Sequence, residues 1–170
     1  MLIRMIRVAV VAAASLLVLG TAAPSAQADT RTFRDKGGHL TTVKVSHGRE
    51  SVTVRAHVGR LSPGDFSTYW FDTDAESRPD YKAVIYPGSD GAGLLRVDNF
   101  AQKGAAVACP GFRAEADVFG PQFVTVTVPR ACLGNPAKVR VAVRAYYDVK
   151  GPDIVDWGPG TKRFFGWVSR

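Results

Sequence analysis

The chain has 170 residues, 46% of them apolar, with 22 Lys and Arg against 15 Asp and Glu for a formal charge of +7. That apolar share is ample for a packed core and excludes a disordered chain. The positive excess is mild and both signs are mixed along the sequence, so we expect solubility and loose attraction to anionic surfaces, and no specific nucleic-acid binding.

The first 28 residues read as a signal peptide. Arg4 and Arg7 precede an apolar run from Val8 to Leu19 that only Ser15 interrupts. Gly20 and Pro24 break the run, and Ala26-Gln27-Ala28 places small residues where signal peptidase reads, which puts cleavage before Asp29. An apolar core of about 12 residues falls short of the ~20 needed to span a bilayer, so no membrane association is expected after cleavage. What remains, residues 29–170, is a normal size for one domain, expected to be secreted, extracellular and monomeric.

From Asp29 onward the apolar period is two rather than 3.6. Leu40 to His47 sets Val43 and Val45 on one face, and Ser51 to Val58 does the same with Val52, Val54, Ala56 and Val58, so the two segments read as a hairpin around His47-Gly48-Arg49-Glu50. Phe66 to Asp72 is rich in aromatics and reads as a central strand covered on both faces. An acidic loop from Asp74 to Pro79 follows, then strands at Asp80 to Tyr86 and Gly93 to Asp98. Phe112 to Val118 and Phe123 to Val128 alternate cleanly, the second with valines inward and threonines outward. Pro129 to Gly134 fits a single helical turn carrying Cys132, and Ala137 to Tyr147 is the longest strand, with Lys138, Arg140 and Arg144 pointing out. Lys150 to Thr161, rich in Gly and Pro, reads as a loop before a closing strand at Arg163 to Val168. About nine short, evenly spaced strands without a helix predict an all-β, antiparallel, jelly-roll-like sandwich.

The two cysteines, Cys109 and Cys132, are an even pair in a chain expected to be exported, so a disulfide is predicted. Closing a loop of about 24 residues is worth roughly 3 kcal/mol through the unfolded state. Neither cysteine has a histidine, a lysine or a helix start beside it to lower its pKa, which argues for a staple rather than a reactive thiol.

Asp72, Asp74, Glu76 and Asp80 offer oxygen ligands at alternate positions, the donor type that calcium requires, and form the candidate metal set. The spacing is not that of an EF-hand, because Ser77 and Ala83 stand where glycine and glutamate are needed. Paired carboxylates also serve glycoside hydrolysis, yet here they lie in a loop with no evident groove. His39, His47 and His57 do not converge and read as surface residues. No G-x-S-x-G, H-E-x-x-H or C-x-x-C motif occurs. Trp157 lies in Asp156-Trp157-Gly158-Pro159-Gly160, which reads as a loop with little apolar company. It is expected either to stack a sugar ring in the open or to plug one end of the core. The outward row of Lys138, Arg140 and Arg144, with Arg130 near its start, reads as an attractor of acidic polymers or as a solvated guard face.

Tyr69-Trp70-Phe71-Asp72-Thr73-Asp74 and Pro79-Asp80-Tyr81, together with Cys132-Leu133-Gly134, Val139-Arg140-Val141 and Asp156-Trp157-Gly158-Pro159-Gly160, resemble small secreted actinobacterial proteins of uncharacterised function. The strand leading into Asp-Thr-Asp is also similar to one in the family 9 carbohydrate-binding and DOMON-like sandwiches. That likeness implies a ligand-binding sandwich. It does not extend to the haem ligands of some DOMON relatives, since both methionines, Met1 and Met5, lie in the signal segment.

The expectation is therefore a secreted, non-catalytic sandwich that binds carbohydrate or cell-wall polymer through Trp157, Asp72, Asp74 and Tyr81, with calcium as the candidate cofactor. The alternatives are a secreted hydrolase using the acidic loop and an extracellular interaction or inhibitor domain.

Overall fold

The structure, a computed structural model, describes residues 28–59, 61–62, 64–88, 91–117, 120 and 122–170. The expected signal peptide lies outside these apart from Ala28, as does Val118, the end of the strand expected at Phe112 to Val118. Among the described residues there are twelve strands and one 3-10 turn. Alternating inward valines drive the five-stranded sheet, formed by β1 (Asp29–Arg34), β2 (Thr42–His47), β3 (Ser51–His57), β9 (Phe123–Pro129) and β8 (Arg113–Ala116), in that spatial order. A second sheet runs β11 (Ile154–Gly158), β10 (Lys138–Tyr147), β4 (Phe66–Asp72), β5 (Tyr81–Ile85), β6 (Leu94–Arg96) and β7 (Ala105–Val107), with β12 (Val168–Ser169) pairing the start of β10.

All pairings are antiparallel. The chain changes sheet three times, so β9 returns beside β3 and β10 beside β4. These non-consecutive neighbours interlock the layers as a jelly-roll-like sandwich does. Between the sheets, Val45, Val54 and Val126 meet Tyr69, Phe71 and Val141 in one continuous core. Cys109 and Cys132 are bonded, as expected, and the disulfide ties the loop before β8 to the 3-10 turn Arg130–Leu133. Gly134, at φ 76°, ends that turn in the left-handed region that a Cβ disfavours.

Three of the twelve strands were not expected. β1 has one apolar residue, Phe33, because an edge strand needs little more than backbone pairing. β7 is three residues long. β11 was concealed by its Gly/Pro-rich setting, yet it pairs with β10 from Val143 to Tyr147. Its Gly158 allows close approach, since a Cβ there would lie 2.6 Å from Leu40 and 2.8 Å from Phe165. The closing strand expected at Arg163 to Val168 shortens to Val168–Ser169.

His47 also departs from its expected surface position. The period that buries Val43 and Val45 buries His47 too, at 0% exposure. Arg130 donates from Nε to His47 Nε2 at 3.1 Å, and an arginine can only donate, so the imidazole is neutral with its proton on Nδ1. That Nδ1 donates in turn to the Val168 carbonyl, 3.2 Å away. Burial holds the His47 pKa below its usual value, and the charges of Arg130 and Arg170 act the same way. Arg130 is not part of an outward row either. Its guanidinium is buried and donates to the carbonyls of Arg49, Asn135 and Pro136.

Candidate functional site

Strand β4 is buried along six of its seven residues, which follows from its two apolar faces. Tyr69 and Phe71 enter the inter-sheet core, while Trp70 points the other way. On that outer face Trp70 founds a second apolar cluster with Val97, Ala142, Phe100, Trp157 and Phe164. Trp157 lies at the β11 position opposite Arg144, and its ring stacks on Trp70 with centroids 5.0 Å apart and planes 15° from parallel. Phe100 meets Trp157 edge-on at 5.9 Å. Trp157 is thus a half-buried strand residue that covers the outer face of the sheet; it is neither an isolated loop aromatic nor a plug over the end of the core.

Cations interleave with these rings. The Arg144 guanidinium carbon lies 5.4 Å from the centroids of Phe66 and Trp70 and 5.6 Å from that of Trp157. Arg140 lies over Phe164 and Trp167 at 4.9 and 4.6 Å, and Lys138 Nζ is 4.5 Å from Trp167. The row expected to be a solvated guard is therefore an aromatic-packed one, each contact worth about 0.5–2 kcal/mol depending on desolvation. Farther along the same face, Tyr146 stacks on Phe66 at 4.6 Å and Phe66 meets Tyr86 at 5.4 Å. Tyr86 and Val155, each 49% exposed, leave this strip open to solvent. A hydrogen bond to Asp153 raises the Tyr146 phenol to about 12.

The acidic loop takes a different form. Carboxylate oxygens of Asp72, Asp74 and Asp80 lie within 4.8 Å of one another. Asp72, fully buried, accepts from the backbone N–H of Asp74 and Ala75 and forms an ion pair with Arg140, whose Nε donates at 2.7 Å. Asp80 accepts from the Thr73 N–H and hydroxyl, both at 2.7 Å. Glu76 is drawn away into an exposed pair with Arg78. Of the four expected cation ligands, Asp72, Asp74 and Asp80 are thus brought together and Glu76 is not, and the Arg140 guanidinium beside Asp72 is a positive charge that a dication would have to share the loop with. Asp72 and Asp74 do not form a pair of accessible carboxylates across a cleft, because Asp72 is sealed. Tyr81, expected at the ligand, faces inward into the core at 8% exposure.

Compared with known proteins, the chain matches no family model, no curated protein and no solved structure. The site has to be read from its own geometry.

Two hollows open among the described residues. One of about 400 Å³ lies on the outer face of the five-stranded sheet, lined by Glu50, Arg113, Glu115, Thr125 and Thr127. The other, about 190 Å³, brings Ser62, His39 and Asp65 to one end of the sandwich. Asp65 spends its oxygens on the N–H groups of Ser62 and Asp148, and His39 rests on Tyr147, so the geometry of an activated serine is not built there. The residues that organise the outer aromatic face and escaped the sequence reading are Phe100, Phe164 and Trp167. Phe100 follows Asn99, Phe164 follows Arg163 and Trp167 follows Gly166, so no shared local signal marked them as belonging to one face.

Proposed function

We propose that this domain is a secreted, non-catalytic β-sandwich that holds a carbohydrate or cell-envelope polymer on the outer face of its seven-stranded sheet. The observation that carries this reading is the solvent-open strip of Tyr146, Phe66 and Tyr86 continuing into Trp157. Soluble monomers do not normally leave contiguous apolar surface open without a use for it. Aromatic side chains offer apolar area with fixed geometry, against which the C–H face of a pyranose ring packs while its hydroxyls stay wet. An extended polymer suits a flat sheet face, because no deep pocket is required to take it. The resemblance to carbohydrate-binding sandwiches points the same way.

The test is retention of residues 29–170 on insoluble peptidoglycan, chitin and cellulose. Retention on at least one is expected, with Tyr86→Ala and Trp157→Ala each weakening it. Tyr86→Ala is the cleaner variant, since half of Tyr86 is already in solvent. Complete elution of the wild-type domain from all three would sink the reading.

A further inference from the structure

Two cations on the outer face have no counter-charge. Lys82 stands directly across from Trp70 on β5, and Arg144 stands across from Thr68 on β10. Thr68 and Trp70 are two residues apart on β4, so the two cations flank this strand diagonally on one face of the sheet. Burial lowers the pKa of both, and the charge of Arg144 adds to the effect on Lys82. None of the ion pairs among the described residues involves either one. Lys82 donates to a single acceptor, the Gln102 carbonyl, out of the three bonds that an ammonium makes. Arg144 has only a long contact of 3.4 Å with the Thr68 hydroxyl, and its buried Nε has no acceptor. Trp70 Nε1, in a side chain 1% exposed, lacks one as well.

Desolvated charges in folded proteins are paired, and buried donors are satisfied. The aromatic rings around Arg144 offset part of its charge but accept none of its N–H groups in the plane of the guanidinium. The contrast with Arg140 is direct, since that residue, four positions earlier on the same face of β10, has Asp72.

We propose that Arg144 and Lys82 form an anion subsite that takes the carboxylate or phosphate of an acidic sugar unit. This deepens the polymer-binding reading and rests on it for the sugar, though not for the anion. The guanidinium fork matches a planar oxyanion with two parallel hydrogen bonds, and the Lys82 ammonium supplies a second charge. The half-buried Trp157 ring, stacked on Trp70 beside them, gives the sugar its apolar contact.

Tryptophan fluorescence reports on the site directly, through Trp70 and Trp157. The intact domain is titrated with sodium glucuronate, glucose 6-phosphate and glucose, each at an ionic strength fixed with sodium chloride. A saturable response to glucuronate, to glucose 6-phosphate or to both is expected, and their relative strength tells carboxylate from phosphate. Glucose alone should act far more weakly. Arg144→Gln and Lys82→Gln should each weaken anion binding about tenfold or more, the worth of a charge-assisted hydrogen bond. Lys82→Gln removes a desolvated charge that makes no ring contact among the described residues and should lower the melting temperature little, which separates a ligand role from a structural one. Arg144→Gln also gives up its ring contacts and is read by the anion titration of the folded variant. No saturable response to either anion, or a response undiminished in both variants, would overturn the subsite. Anion binding without retention on any polymer would instead overturn the polymer reading and leave the subsite standing.

Discussion

The two sheets share one inner logic and differ in what they present outward. On the five-stranded sheet, Val52, Val54, Val126 and Val128 go in, while Thr53, Arg55, Thr125 and Thr127 go out to solvent or to one another, as in the 3.3 Å contact of Thr53 with Thr127. On the seven-stranded sheet the inward set is equally apolar, but the outward set is Trp70, Ala142 and Trp157 with half-buried cations between them. A sheet with one buried face needs only alternation. A sheet with two covered faces has something further to cover or to hold, and here the outer cover is incomplete at Tyr86 and Val155.

Substitutions can break or sharpen that contrast. The largest effect is expected from Trp70→Ala, which empties the outer cluster and should cost about 3–5 kcal/mol in denaturant unfolding. A loss below 1 kcal/mol would mean that the outer cluster does not hold the fold. Removing the disulfide by Cys109→Ser with Cys132→Ser should cost roughly 3 kcal/mol, since it frees the loop that enters the five-stranded sheet. Asp72→Ala should cost about 2–4 kcal/mol, because it strands the Arg140 guanidinium and two loop N–H groups. An Asp72→Ala domain with an unchanged midpoint would place that ion pair among the inconsequential ones.

A smaller effect concerns acid. The folded His47 pKa is depressed, so below about pH 6.5 the unfolded chain binds a proton that the folded ring refuses. Stability should hold above that pH and fall as pH drops toward the lowered folded value, and His47→Gln should flatten this segment of the curve. An identical acid profile in His47→Gln would assign the loss to other groups. The smallest effect is expected from Thr127→Ala on the solvated sheet, within about 0.5 kcal/mol. A much larger loss there would erase the distinction between the two outer faces.

The strand pattern was legible because period-two alternation survives even in short segments such as Phe123 to Val128. The same rule, carried two residues further, would have buried His47 with Val43 and Val45; the residue was read as the start of the turn and therefore as external. β1 and β11 escaped because edge strands are held by backbone pairing, which leaves little side-chain signature. The acidic loop was legible at Asp72, but its ion pair was not, because the partner, Arg140, is 68 residues away in the chain.

Sequence alone determined the class of this protein: a chain patterned for antiparallel β structure, with a valine core and a cysteine pair suited to a staple. These properties are local or compositional, so they are written residue by residue. Only the tertiary structure decided which outward face carries the chemistry. Pairing of β4 with β10 and of β10 with β11 brought Trp70, Arg144 and Trp157 together from three strands, and left Lys82 beside them with no ion-pair partner among the described residues. Strand order is fixed by how the layers interlock rather than by any one strand, and that is why the acidic loop stood out in the sequence while the aromatic face emerged only from the fold.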